Sequence, residues 1–383
     1  MYKKLINFIR EWYRTDLYIP LHEPRFDDRD RTNVLDAIES TYVSSVGEYV
    51  DRFEIELAQF LGVKKAVVTV NGTAALDLAL RLVGVEANDE VITQPLTFAA
   101  TANAIVYNNA IPVFVDVCTK TLGMSPDSLK VFLEQNAIKK EGKAFNKKTK
   151  NKIAAIVPMH TFGHPCEMEK IKEVADEWNI EIVEDAAEAL GSTYKGGSCG
   201  TFGTFGIFSF NGNKIITCGG GGAIVTNDCQ LADRAKHLTT TAKLPHAWEF
   251  IHDEVGFNYR MPNLNAALAC SQLEKLAQYL ADKRELAKAY QSFFYTMCEY
   301  QFINEPENCR SNFWLNGVLA KDRKSRDKIL EKTNNAGIMT RPAWRLMPDL
   351  KMYKECQAAN LENARCLQDR IVNIPSSVRQ YAG

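Results

Sequence analysis

A lysine at the tip of a glycine-rich turn is a candidate nucleophile toward a carbonyl group. Lys214 lies in TFGIFSFNGNKIITCGGGGAIVTN (204–227), after the apolar run GIFSF and before four glycines, Gly219 to Gly222, that lead into a second apolar run. Its ε-amine could form an imine with a carbonyl cofactor if a desolvated or electropositive pocket keeps part of it neutral. The glycines would let the backbone approach a bulky ligand and take φ > 0 at little steric cost. A solvated loop lysine is the ordinary alternative, so the companions of Lys214 decide.

Asp185, in EDAAEALGS, could hold the protonated nitrogen of a pyridine ring and keep that ring an electron sink, or it could cap a following helix. Glu188, one helical turn further, would face the same side, near a cofactor hydroxyl or as a surface charge. Asn71-Gly72-Thr73-Ala74 opens a helix after an apolar run. Free amides, the helix dipole and the Thr73 hydroxyl would seat a phosphate, with a plain cap as the alternative. Ser209, five residues before Lys214, could hold the same phosphate. Phe98, in PLTFAA, could lie flat on a ring or sit in the core. His160 and His164 have the i, i+4 spacing of a helical metal pair, but Gly163 and Pro165 argue against a helix and so against a metal site.

These residues need a scaffold, and the apolar pattern supplies one. AVVTV (66–70), EVITQ (90–94), IPVFVDV (111–117), IAAIVPM (153–159), EIVE (181–184), GIFSF and AIVTN read as strands, mostly alternating with helical segments. Near-continuous Val/Ile runs mean strands covered on both faces, which predicts an α/β fold with a mostly parallel sheet of about seven strands. Ligands gather at the carboxyl ends of such strands. Helices are expected from Asp28 to Glu39 and through DRFEIELAQFLG, with Phe53, Leu57 and Phe60 as its apolar stripe. The basic stretch KKEGKAFNKKTKNK (139–152) reads as a solvated loop, or else as a patch for a phosphorylated ligand. After Leu244 come a long helical region, a strand at NFWLNGVLA, and helices near 325–336 and 361–372. The organisation expected is an N-terminal docking helix (1–19), a large α/β domain (20–245) and a smaller C-terminal α+β domain (246–383).

Composition excludes several classes. A formal charge of −1 over 383 residues disfavours nucleic-acid binding. Lys3, Lys4, Arg10 and Arg14 interrupt the N-terminal apolar stretch, so neither a signal peptide nor a spanning helix is expected there. Ten cysteines without a CxxC pair suit free thiols in the cytoplasm.

VSSVGEYVDRFE, NGTAAL, TFAATANAI, VEDAAEALGS, SFNGNK and GFNYRMPNLNAAL, in that order, resemble the DegT-type sugar aminotransferases. The resemblance runs from about Ile19 to the C-terminus. It implies a pyridoxal 5'-phosphate (PLP) enzyme of fold type I, with Lys214 as the Schiff-base residue and Asp185 on the pyridine nitrogen. It places Glu188, where many members have glutamine or histidine, by the ring hydroxyl, and Phe98 stacked on the ring. Gly72, Thr73, Ala74 and Ser209 would bind phosphate. Asn258 would reach the phosphate from a neighbouring subunit, which implies a homodimer with shared sites. Relatives often carry glutamate where this chain has Gly220, so a substrate contact borrowed from that glutamate does not transfer. The lysine disfavours the family's dehydratase branch, which has histidine there.

TTTAKLPHAWEFIHDEVG, SFNGNKIITCGGGG and NIPSS are similar to one subgroup. That subgroup aminates C4 of a UDP-4-keto-6-deoxy-N-acetylhexosamine with L-glutamate as donor. His160 and Lys243 lie in suggestive stretches as substrate contacts, though no residue pattern assigns them. Amination of a different nucleotide-linked 3- or 4-keto sugar is the alternative, and a non-catalytic regulatory protein on the same fold is the reading from another class.

Overall fold

The computed structural model describes residues 1–379. Seven strands form the central sheet: β1 (Lys65–Thr69), β2 (Glu90–Thr93), β3 (Ile111–Phe114), β4 (Ile153–Val157), β5 (Glu181–Asp185), β6 (Phe205–Ser209) and β7 (Gly222–Thr226). Their order is β1-β7-β6-β5-β4-β2-β3. Only β7 runs against its neighbours; the other pairings are parallel. Every residue of β2, β4 and β7 is buried.

Successive residues of these strands point to opposite faces, so each strand feeds two cores. Among the described residues twelve helices pack on this sheet and on a second one: α1 (Tyr2–Tyr13), α2 (Asp28–Glu39), α3 (Glu48–Leu61), α4 (Gly72–Leu82), α5 (Ala99–Tyr107), α6 (Pro126–Asn136), α7 (Met168–Trp178), α8 (Cys229–Thr239), α9 (Asn263–Glu274), α10 (Leu276–Phe294), α11 (Arg323–Asn335) and α12 (Glu362–Arg370). Val67, Val91, Val183 and Ile224 pack under α4, α5 and α8. Ile92, Ile156 and Ile182 pack against α6 and α7, while Val68, Phe208 and Val225 pack against α3 and α9.

A second, antiparallel sheet follows in the order β8 (Tyr300–Phe302), β9 (Asn316–Ala320), β11 (Ile371–Ile374), β10 (Arg341–Pro342). Helix α1 buries Leu5 and Ile9 completely beside Leu286, Tyr290, Val318 and Ile329 of this sheet and its helices. Arg10 donates to the Ala336 carbonyl at 2.6 Å, which fixes the helix end.

Five local expectations are corrected. The basic stretch contains a hairpin, Ala137–Lys140 with Lys143–Asn146, because Glu141 and Gly142 take φ > 0 and turn the chain tightly. The long helical region breaks at Lys275 into α9 and α10, and the last predicted helix ends at Arg370 and becomes β11. No helix follows Asp185; the chain turns there instead. Phe60 is 41% exposed, so the inner stripe of α3 is Tyr49, Phe53 and Leu57 with Leu61.

Candidate active site

The carboxyl ends of β1, β2, β5 and β6 open into one cavity of about 260 Å³. Its wall includes Gly72, Thr73, Phe98, Asp185, Glu188, Ser209 and Lys214. One end is the start of α4. Asn71, in extended conformation, accepts the Ala74 N–H at 2.8 Å and so caps the helix. Ala74 is thereby spent on the cap and does not line the cavity, a correction to its place in the phosphate seat. The first helical amides, Gly72 and Thr73, have no intrahelical acceptor and remain for an anion. A Cβ on Gly72 would stand 3.0 Å from the Ser209 Cβ, so the helix start and the β6 serine are in contact.

Asp185 ends β5 at the other side of the cavity. Thr101 donates to its Oδ2 at 2.7 Å, and the Ala187 N–H reaches its Oδ1 at 3.2 Å. These donors orient a carboxylate that is nearly buried. Lys214 lies between the two ends. Its Nζ is 3.2 Å from Glu188 Oε1 and 4.2 Å from the centre of the Trp314 ring. Glu188 also accepts the Phe162 N–H, through Oε2, at 2.9 Å. Burial pushes the Glu188 carboxyl up, to about 7, against the opposing pull of the Lys214 ammonium and the Phe162 amide. Phe98 is 54% exposed on the cavity wall, 6.4 Å from Trp344 between ring centres. It is available as a flat apolar surface rather than spent in the core.

The glycine run has another role than the one expected. Only Gly219 takes φ > 0. A Cβ on Gly222 would fall 2.4 Å from the Asn71 carbonyl carbon and 2.5 Å from the Gly72 nitrogen. The run lets β7 pass under the start of α4, so it serves backbone approach within the protein.

Besides Ala74, three expected residues, His160, Lys243 and Asn258, stand outside the cavity wall. His160 is fully buried: it accepts the Cys166 N–H on Nδ1 at 3.0 Å, which leaves Nε2 to donate to Glu184 at 3.0 Å. Glu184 takes three further N–H groups, from Gly200, Phe202 and Gly203, so this pair organises the turn behind the sheet. His164 points elsewhere, edge-on to Phe313, and Phe162 and Gly163 between them are left-handed. Lys243 sits on an exposed two-stranded ribbon with its Nζ over Phe250. Asn258 is exposed and accepts from Arg260.

Thr101, Trp314 and Trp344 belong to the wall and were not anticipated. Thr101 had a signal, since it lies in the first turn of the helix that Phe98 precedes. The tryptophans had none, because each arrives on a loop more than a hundred residues downstream of Phe98.

The chain's atoms can be tested against a cofactor. Unspent amides and a hydroxyl at one end suit a phosphate, an oriented carboxylate at the other suits a cationic ring nitrogen, and an amine between them suits an aldehyde. The residues fit PLP. The structure of Helicobacter pylori PseC, an aminotransferase involved in pseudoaminic acid biosynthesis, superposes with a TM-score of 0.84 at 26% identity, covering 94% of this chain and 93% of that one. Fold and site together define a PLP-dependent aminotransferase of fold type I.

The description of the DegT/DnrJ/EryC1/StrS aminotransferase family matches residues 24–380. GDP-perosamine synthase of Escherichia coli O157:H7 is 36% identical over 359 residues, 94% of this chain and 93% of that protein. Bacillus subtilis EpsN, named as a putative pyridoxal phosphate-dependent aminotransferase, is 36% identical over 327 residues, 85% and 81% of the two chains. The chain belongs to the DegT/DnrJ/EryC1/StrS family of PLP-dependent sugar aminotransferases.

Proposed function

We propose that this protein transfers an amino group from L-glutamate to C4 of a UDP-linked 4-keto-6-deoxy-N-acetylhexosamine. The products are 2-oxoglutarate and a UDP-4-amino-4,6-dideoxy sugar for bacterial surface glycans. The observation that carries the transamination is the convergence of Lys214, Asp185 and the α4 amides on one cavity. The resemblance in SFNGNKIITCGGGG and the stretch after Thr239 supports the UDP sugar. A GDP-linked 4-keto sugar is the second reading, favoured by the GDP-perosamine synthase likeness.

PLP, when bound, supplies the electron sink that stabilises the carbanion next to nitrogen. The protein does the rest. The amides of Gly72 and Thr73 and the Ser209 hydroxyl would hold the phosphate, Asp185 would keep the ring nitrogen charged, and Phe98 would cover one ring face. The amine of Lys214 would anchor the aldehyde and, once displaced, carry the proton between the substrate carbon and the cofactor. Glu188 would lie at the ring hydroxyl. Trp314 shields the amine from solvent and, by donating to the Asn213 carbonyl at 2.7 Å, holds the lysine loop.

The protein is read as a homodimer with shared sites. Half-exposed Phe98 leaves one side of the cavity open, and Asn258 is exposed and outside the wall of its own chain's cavity, where a second copy could use it. No helix among the described residues is long and apolar enough to cross a membrane.

Lys214→Ala is expected to abolish turnover and the absorbance of the lysine-linked cofactor; a variant with native activity overturns the reading. Incubation with glutamate and a panel of UDP- and GDP-keto sugars, followed by mass analysis, separates the two substrate readings. A yellow protein whose absorbance glutamate leaves unchanged would instead favour the regulatory alternative.

A further inference from the structure

The cavity places one carboxylate where only one cation can answer it. Glu188 has a side chain 2% exposed, and Lys214 is its single ion-pair partner among the described residues. Oε2 is tied to the Phe162 amide, which leaves Oε1 facing the amine. The other charged neighbour is Asp185, a like charge that is itself held by Thr101 and Ala187. His22 adds no balancing charge. Its two ring nitrogens are buried without a protein partner, and burial, with the cations Lys283, Lys214 and Arg25, holds the ring neutral.

Lys214 cannot stay charged through the reaction, because only a neutral amine attacks a carbonyl or takes a proton from carbon. When its charge disappears, the buried Glu188 carboxylate loses the one ion-pair partner it has among the described residues, and a buried carboxylate left without its partner is unfavourable. We propose that Glu188 stores the proton of Lys214: a carboxylate while the amine is a free ammonium, a carboxylic acid when the amine is uncharged. One proton crosses the 3.2 Å contact from Nζ to Oε1 and returns, so the pair changes from ammonium and carboxylate to amine and acid without exchanging charge with solvent. Glu188→Gln could still accept the Phe162 N–H but could hold no proton.

The direction is fixed by the neighbours. The Lys214 ammonium lowers Glu188, whose carboxyl stands near 7 with that cation present; removing the cation raises it further. This inference rests on the reading of Lys214 as the cofactor-linked residue.

The test needs no turnover. Infrared spectra of cofactor-free protein at about pH 8, above the Glu188 midpoint, should show no protonated-carboxyl band assignable to Glu188 in the native chain. Lys214→Met should gain that band, and Lys214→Met/Glu188→Gln should lose it again. A single variant without the band, or a band that survives in the double variant, overturns the proposal. A second arm uses the chain with Lys214 intact. Calorimetry of PLP binding in buffers of different ionisation enthalpy should give a proton count that Glu188→Gln changes; an unchanged count also overturns it. Borohydride reduction and peptide mapping of the PLP adduct stands apart from both arms. An adduct on another lysine would sink the cofactor assignment while leaving the infrared result to be judged on its own.

Discussion

Thr101 shows how a neutral side chain can govern a charged one. Its hydroxyl donates to Asp185, and its oxygen lies 2.7 Å from that of Thr97, so a short hydroxyl chain fixes the carboxylate. A hydrogen bond to a charged acceptor contributes about 1.5–3 kcal/mol. Thr101→Val keeps the shape and removes the donor, so PLP affinity should fall at least about tenfold, as read by fluorescence titration of the cofactor-free protein. Native affinity would mean that Asp185 needs no such support. The residues legible in the sequence, Lys214, Asp185, Ser209, Phe98 and Gly72 among them, all lie at the ends of strand-like runs or in the turns that follow them, where ligands collect in this kind of sheet. Trp314 escaped notice because its position depends on a loop conformation: Phe313 before it is left-handed at φ 47°, and Asn312 ties the loop to the Glu188 and Leu190 carbonyls. His160 misled for the opposite reason. Its polarity is consumed by Glu184 and Cys166, and only the fold reveals that.

At the scale of elements, the contact between β7 and the start of α4 sets the phosphate end of the cavity. Gly222→Ala would place a methyl group against the Asn71 and Gly72 backbone, which cannot yield as a flexible side chain would. Such overpacking costs about 1–3 kcal/mol. The variant should melt several degrees lower and bind PLP more weakly, while Gly212→Ala, with nothing within 4 Å, should do neither. Equal behaviour of the two would refute this account of the glycine run. The seven apolar runs were legible as strands because both their faces are buried, so hydrophobicity is continuous along them. The hairpin at Ala137–Asn146 was hidden, since lysines occupy its solvent positions while Ala144 and Asn146 turn inward. The break at Lys275 was hidden too, because the apolar spacing continues through it; there the ammonium pairs with Asp27 at 3.0 Å and with Asp30, both next to or within α2.

At the scale of the whole molecule, one hydrophobic core draws on both sheets. Phe53, Phe208 and Met261 share a core with Trp314, Leu346 and Leu367, so the cavity between them is walled from both sides. The proposed homodimer would close the open side of the cavity with a second copy, and complementation tests it. Lys214→Ala and Asn258→Ala chains, each inactive alone, should recover about a quarter of native activity when mixed and allowed to exchange, since half the dimers then carry one intact site. No recovery would place Asn258 in its own subunit's site or outside catalysis. Trp248 and Phe250 are exposed, which the apolar pattern of the sequence could not show, because exposure is known only once the chain is folded.

The reversal of β7 has a mechanical corollary. The segment carrying Lys214 leaves the sheet at β6 and re-enters it at β7, and it is laced at Phe210 to Gly221, at Cys218 to Phe210 and at Asn213 to Trp314. Both ends of the tether are thus clamped, and what remains to swing is the four-carbon arm itself. Ferrying of hydrogen at this centre would then proceed by rotation about the bonds of that arm rather than by slower displacement of the main chain.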